Sequence, residues 1–260
     1  MKVYAFGDTD KPSIMLFPGT CCYWKSNFGH VLDHLQQHFY TLVASYSGFD
    51  DTEHSTFISE LDEVEKIENY IKTNLSGKLF AAYGCSLGGS VVSLLVSREN
   101  IHIEHAIIGS SDMDQAPKWL AKLETAIMLP LLYPLISGQK CFMRKKIDKK
   151  LNAGGQEAES MKQFMKIMGM DGSVDHSFMS KESVKNQFYT DLYTKVGEHI
   201  QVSGTTIHVF YAKKMGEKYL QRYHKYFADP DIHTFDLKHE QLLLDADRWT
   251  KEVCNACGIS

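Results

Sequence analysis

The sequence predicts an α/β protein: a mostly parallel sheet covered by helices on both faces, with one helical insertion. Three observations carry this. Short apolar runs rich in β-branched and aromatic residues alternate with helical patterns along most of the chain. That alternation stops after Ser111 and resumes only at Thr206, about 95 residues later, a gap far longer than an ordinary connection between strands. A Gly-x-Ser-x-Gly spacing, Gly84-Cys85-Ser86-Leu87-Gly88, sits where a strand pattern gives way to a helix.

Residues 1–7 read as a short edge strand, and Ser13 to Phe17 as a buried one after a polar turn. Pro18-Gly19-Thr20 leads into a helix expected over about Ser26 to His38, burying Phe28, Val31, Leu32 and Leu35. His30, His34 and His38 follow at steps of four, so their imidazoles lie along one face of this helix and could hold a transition metal adventitiously, but no nearby carboxylate or fourth ligand completes a site and a solvated polar face is expected. Phe39 to Tyr46 is the next strand. A long helix from about Ser55 to Leu75 takes its apolar stripe from Ile58, Leu61, Val64, Ile67 and Ile71, with Glu60, Asp62, Glu63, Lys66 and Lys72 expected on solvated faces. Lys78 to Tyr83 is a buried strand, Ser90 to Ser97 an apolar helix, and Ile101 to Ser111 a further strand that ends in the polar stretch Ser110 to Asp114.

The following stretch is helical by pattern, over Pro117 to Met128, Leu151 to Met168 and Lys181 to Val196, with Pro130, Pro134, Gly154, Gly155 and Gly172 as breaks. Its Met128, Met161, Met165, Met168, Met170 and Met179 beside Leu129, Leu131, Leu132, Leu135 and Ile136 suit the wall of an apolar pocket. The chain then divides into a core of residues 1–111 and 206–260 and a helical cap insertion of residues 112–205. Thr206 to Ala212, a helix over Gly216 to Phe227, Asp231 to Leu237 and a closing helix over Asp245 to Cys257 complete the core.

Composition narrows the function. A chain of 260 residues, 43% hydrophobic and 23% charged with a formal net charge of -4, has no basic excess to attract nucleic acid or anionic lipid. The first residues have no secretory-signal pattern and no run of 18 uncharged apolar residues occurs, so a cytoplasmic protein without a membrane span is expected. Six cysteines show no disulfide spacing; Cys254 and Cys257 form a lone C-x-x-C, which without two further ligands reads as helix packing.

The candidate chemistry sits at the carboxyl ends of strands, where open parallel sheets bind ligands. Ser86 ends one strand, Asp112 and Asp114 follow the next, and His239 follows the last. A serine in a strained strand-to-helix turn projects its hydroxyl away from the backbone, and the backbone N–H of Leu87 begins a helix whose positive end favours a developing oxyanion.

Through Phe17-Pro18-Gly19-Thr20, Gly84-Cys85-Ser86-Leu87-Gly88-Gly89 and Lys238-His239-Glu240, the sequence resembles the α/β-hydrolase family over nearly its whole length. The resemblance implies the α/β-hydrolase fold, with Ser86 as nucleophile at a nucleophile elbow, His239 as general base, and the backbone N–H groups of Leu87 and Thr20 as oxyanion hole. Two departures stand out. Pro18 replaces the His common in the family before the glycine, and Met215 stands where the triad acid is usual. The acid is placed at Asp112, on the preceding strand, with Asp114 and Glu217 as alternatives.

The expected activity is that of a carboxylesterase-like serine hydrolase that cleaves an ester, thioester or related acyl bond of a small-molecule substrate through an acyl-enzyme. It needs no cofactor and no metal. The missing acid at Met215 supports a different class, a ligand-binding or scaffold protein that kept the fold, and a hydrolase-fold lyase or peroxidase is a third reading.

Overall fold

The structure is a computed structural model that describes residues 1–139, 141–172 and 174–259. Lys140 and Ser173, inside the expected insertion, and Ser260, at the expected end of the core, lie outside the described residues. One seven-stranded sheet organises the chain: β1 (Lys2–Phe6), β2 (Ser13–Phe17), β3 (Tyr40–Ser45), β4 (Lys78–Gly84), β5 (His102–Ile108), β6 (Thr206–Ala212) and β7 (Asp231–Phe235), in the order β1-β3-β2-β4-β5-β6-β7. Among the described residues only β1 runs antiparallel to its neighbour, with Lys2 opposite Ser45.

The inner strands are buried on both faces, as a parallel sheet requires, which is why they read as continuous apolar runs rather than alternating ones. Ile14 to Phe17 are fully buried, and so are Ala81, Ala82 and Ala106 to Ile108. On one face the Tyr83 ring meets Phe28 of helix α1 (Trp24–Phe28) and Trp249 of the closing helix. On the other, Ile108 lies under Gly89 of α4 (Leu87–Arg98). Between these, α2 (Leu32–Leu35) and α3 (Glu60–Asn74) complete the first half of the chain.

Two expectations for this half are corrected. The single helix over Ser26 to His38 is two short helices, α1 and α2, separated by Gly29 to Val31. Its apolar residues are buried as expected, but the break sets His30 apart from His34 and His38, which line one groove. His30 Nε2 lies 2.7 Å from the Leu243 carbonyl, whereas His34 Nδ1 pairs with Asp247 at 2.9 Å. The charged faces of α3 are the second correction, since Glu60 and Glu63 are buried while Ile58 and Leu61 are exposed. Glu63 is buried because its carboxylate accepts the Ser47 N–H at 3.0 Å and the Lys66 ammonium at 2.8 Å, and a buried charge needs such partners.

Between β5 and β6 the described residues form four helices, α5 (Lys118–Ile136), α6 (Phe142–Asn152), α7 (Gln156–Ile167) and α8 (Lys181–Tyr193). Pro130 and Pro134 do not break α5, contrary to expectation. Four residues apart, they lose their hydrogen bonds on one side of the helix only, while the opposite side remains bonded. This helix is long and apolar enough, by length and composition, to cross a membrane. Its Trp119, Leu123, Ile127 and Leu131 are exposed.

Helix α8 closes over the core through a polar face rather than an apolar one. Ser183 Oγ accepts the Phe57 N–H at 3.2 Å, Asn186 Nδ2 donates to the Phe57 carbonyl at 3.0 Å, and Thr190 Oγ1 accepts the Glu60 N–H at 3.2 Å. Helix α9 (Glu217–Tyr226) precedes β7, and α10 (Ala246–Ala256), capped by Asp245 accepting the Arg248 N–H, ends the fold with Cys254 and Cys257 buried against the core.

Candidate active site

Ser86 occupies the turn between β4 and α4 with φ 52° and ψ -114°, a left-handed backbone that costs a residue with a Cβ of order 1–3 kcal/mol. Two glycines make the turn possible. A Cβ on Gly84 would stand 2.0 Å from the Gly88 carbonyl oxygen, and one on Gly88 would stand 2.1 Å from the Phe17 carbonyl oxygen. The strand, the turn and the neighbouring strand β2 therefore pass at backbone contact, which leaves Ser86 at the apex.

Glu240 holds this turn from beneath. Its Oε1 accepts the Ser86 N–H at 2.9 Å, and its Oε2 lies 3.3 Å from the Tyr83 hydroxyl. Glu240 is itself buried and left-handed, at φ 51°. The adjacent turn after β2 is fixed just as firmly. Gly19 donates its N–H to Asn27 Oδ1 at 3.0 Å, Cys21 donates to Gln187 Oε1 at 2.6 Å, and Cys22 to the Gly19 carbonyl at 3.2 Å. Among the described residues no acceptor takes the N–H of Thr20 or of Leu87.

Ser86 lines a cavity of about 310 Å³ together with Thr20, Cys21, Asp112, Asp114 and Asp191 on its polar side. Its apolar wall is Leu129, Leu132 and Ile136 of α5, Met168 and Met170 after α7, and Val184, Phe188 and Leu192 of α8. Of the residues expected to wall a pocket, Met128, Leu135, Met165 and Met179 do not line this cavity, Leu131 faces outward and Met161 lines a separate groove.

The loop after β5 carries the two candidate acids and is clamped to α9. Arg222 donates to the Asp112 carbonyl at 2.7 Å and pairs with the Asp114 carboxylate at 2.5 Å; Tyr223 Oη donates to the Ser111 carbonyl at 2.5 Å. The Asp112 side chain accepts the Asp114 N–H at 3.3 Å. Glu217, the third candidate, is exposed at the first turn of α9, and Met215 ends a short helical turn after β6.

His239 is half-buried in a neighbouring groove with Met161, Phe164 and Leu244. Among the described residues it has no hydrogen bond to Ser86, Asp112 or Asp114. The structure thus brings Ser86, Thr20, Asp112 and Asp114 to one cavity, and sets His239 next in sequence to the residue that holds Ser86.

Asp191 and Glu240 carry no role in the sequence reading, although Glu240 lies inside one of its motifs. Burial first, and then the charge of Asp112, push the Asp191 carboxyl up to about 8, against a 3.4 Å contact from the Thr20 hydroxyl. Glu60, behind it, is also raised, first by burial and then by Asp191. No spacing could flag Asp191, because it reaches the cavity only once α8 has folded back over Thr20. The thiols beside the site are poor rivals to the serine hydroxyl. Burial raises Cys85 and Cys21 and pushes Cys22 up to about 12, so all three stay protonated.

No family model matches the sequence, and no curated protein matches it significantly. Solved structures do match over nearly the full chain. An alpha/beta hydrolase family protein from Desulfitobacterium hafniense superposes with a TM-score of 0.70 at 16% identity, covering 98% of this chain and 99% of the other. The enol-lactonase from Burkholderia xenovorans LB400 gives 0.71 at 14% identity, covering 99% and 96%. A lipase-esterase related protein from Clostridium acetobutylicum ATCC 824 gives 0.65 at 13% identity, with 98% of each chain covered. At these identities the likeness shows the fold: this chain has the α/β-hydrolase fold, with a seven-stranded, mostly parallel sheet that fits it.

Proposed function

We propose that the protein is a serine hydrolase that cleaves an ester, thioester or related acyl bond through an acyl-enzyme on Ser86, at a nucleophile elbow. The observation that carries this is the left-handed Ser86 at the mouth of a largely apolar cavity, with two unpartnered backbone N–H groups in the turns beside it. An acyl group fits the apolar wall, the hydroxyl attacks its carbonyl, and Leu87 and Thr20 donate to the oxyanion. Residues 112–205 act as the cap that selects the acyl group.

An alcohol needs a base at neutral pH, and His239 is assigned that role. Its neighbour Glu240 accepts the Ser86 N–H at 2.9 Å, which ties the loop that carries His239 to the turn that carries Ser86. A rotamer change on substrate binding brings the imidazole to the hydroxyl, in line with catalytic hydrogen bonds that form only in the Michaelis complex. Asp112 is assigned as the acid that orients the imidazolium. The reaction as assigned uses no cofactor.

A fluorophosphonate probe tests the proposal. Labelling of the wild type and none of Ser86→Ala is expected, together with hydrolysis of p-nitrophenyl esters that the variant lacks. One observation favours a second reading, a ligand-binding protein without turnover: His239 is unbonded to Ser86. An unlabelled, inactive wild type that still binds apolar acids in the cavity would establish that reading instead.

A further inference from the structure

At the opposite, amino ends of β5, β6 and β7 a second set of chemistry-bearing side chains meets. His208 on β6 is in register with Asp231 on β7, and His233 stands two residues along β7, on the same face of the sheet as Asp231. His208 Nδ1 lies 3.0 Å from Asp231 Oδ2 and 3.4 Å from His233 Nε2, and that His233 nitrogen lies 3.0 Å from the same carboxylate oxygen. Three ligand atoms thus make a nearly equilateral triangle. A tetrahedral ion bound at about 2.0–2.2 Å holds its ligand atoms about 3.3–3.6 Å apart, so a small outward shift of Asp231 from its 3.0 Å contacts completes the fit.

With both ring nitrogens unprotonated, three acceptor atoms face one another within 3.4 Å, and a cation among them gives all three a partner. The surroundings suit one as well. His208 is 3% exposed and so held rigidly, while Asp231 is exposed and leaves a fourth position open to water. The other nitrogen of His208, Nε2, is 3.2 Å from His105 Nδ1, and His105 Nε2 lies 3.9 Å from Glu104 Oε1. Metal-bound imidazoles are commonly oriented by such an acceptor on their second nitrogen.

We infer that His208, His233 and Asp231 bind one divalent transition-metal ion, with His105 positioning His208. Two imidazoles and one carboxylate select Zn²⁺, Co²⁺ or Ni²⁺ over Mg²⁺ and Ca²⁺. Because β7 is the last strand of the sheet, the ion staples that edge to β6. The sequence hides the site, since its ligands come from two strands and His208 and Asp231 are 23 positions apart.

The test uses the untagged full chain, stripped with a chelator and titrated with Co²⁺ by visible absorption and calorimetry. One ion per chain, a d–d spectrum of low coordination number and a higher Tm are expected. His233→Ala and Asp231→Ala, both at the partly exposed edge, should each weaken binding at least tenfold while circular dichroism shows the fold retained. His105→Gln should weaken it with the stoichiometry kept, and His34→Ala, in the unrelated pair with Asp247, should not change it. Should either edge variant fail to fold, His105→Gln and competition of the wild type with a chromophoric chelator decide instead. No saturable binding by the wild type, or a loss of less than tenfold in either folded edge variant, overturns the inference.

Discussion

The Glu240 carboxylate accepts the backbone N–H of Ser86 at 2.9 Å across 154 positions of sequence. This contact pins the turn that carries the serine to the loop that carries His239, so the two assigned partners share one mechanical link. Glu240→Ala should lower ester turnover at least tenfold and cost about 1–3 kcal/mol of stability, because a buried N–H loses its acceptor. Turnover and urea midpoints of the same preparation check both. Wild-type turnover in a destabilised variant would restrict Glu240 to folding.

Strain in the same turn predicts an ordering of three variants. Ser86→Ala should abolish turnover with stability within about 1 kcal/mol of wild type, since Ala keeps the Cβ and its left-handed backbone. Ser86→Gly should be equally inactive and more stable than Ser86→Ala, as glycine adopts φ 52° without that cost. Gly88→Ala should be the least stable, by about 3 kcal/mol or more, because its Cβ would meet backbone 2.1 Å away. Denaturation curves of the three rank them directly.

Most of this architecture was legible in the residues. Strands in a parallel sheet are buried on both faces, so β2 to β6 announce themselves as apolar runs, and Ser86 at a strand-helix junction needs no tertiary information. What stayed hidden depends on chain folding back on itself. The α8 face of Ser183, Gln187 and Thr190 looks solvent-facing by composition, yet it is buried because it satisfies backbone groups of residues 21, 57 and 60. Glu60 and Glu63 mislead for the same reason. The short break at Gly29 to Val31 is invisible to a periodicity that its buried residues still satisfy.

Asp191 makes stability depend on pH. Its carboxyl, at about 8 when folded against 3.8 in the unfolded chain, keeps its proton in the native state over that interval. The native state therefore binds more protons than the unfolded one, and stability falls as pH rises from about 4 to about 8, then levels off. Asp191→Asn should flatten that slope and be more stable than wild type at pH 8. Urea denaturation at closely spaced pH values measures it; identical slopes for both proteins would show that the carboxyl is ionised throughout.

The apolar wall of the cavity predicts acyl selectivity. Leu132→Ala and Met170→Ala widen the space beside Ser86 and should shift preference toward longer acyl chains, each changed contact being worth about 1–3 kcal/mol of discrimination. Leu131→Ala, one residue away but facing outward, should leave the profile unchanged. Relative kcat/KM across a graded series of p-nitrophenyl esters separates them, and equal profiles for all three variants would remove the cap from substrate selection.

The triad acid is the sharpest test. An orienting residue must be an anion at neutral pH, which disfavours Asp191, whose carboxyl is mostly protonated there. Asp114 spends its charge on Arg222 at 2.5 Å, and Glu217 is exposed at the start of α9. Asp112 lines the cavity of Ser86 on a loop whose backbone is clamped by Arg222 and Tyr223, so its carboxylate has a fixed base and no ion pair among the described residues. Asp112→Asn should therefore lower kcat by up to about four powers of ten through the wrong imidazole tautomer, while Asp114→Asn loses less than about tenfold and Glu217→Gln changes little. All three are to be compared on one ester at pH 7 and again at pH 9. If Asp112→Asn keeps more than about a tenth of wild-type turnover while another collapses, the acid is that other residue, and the loop after β5 serves only to shape the cavity.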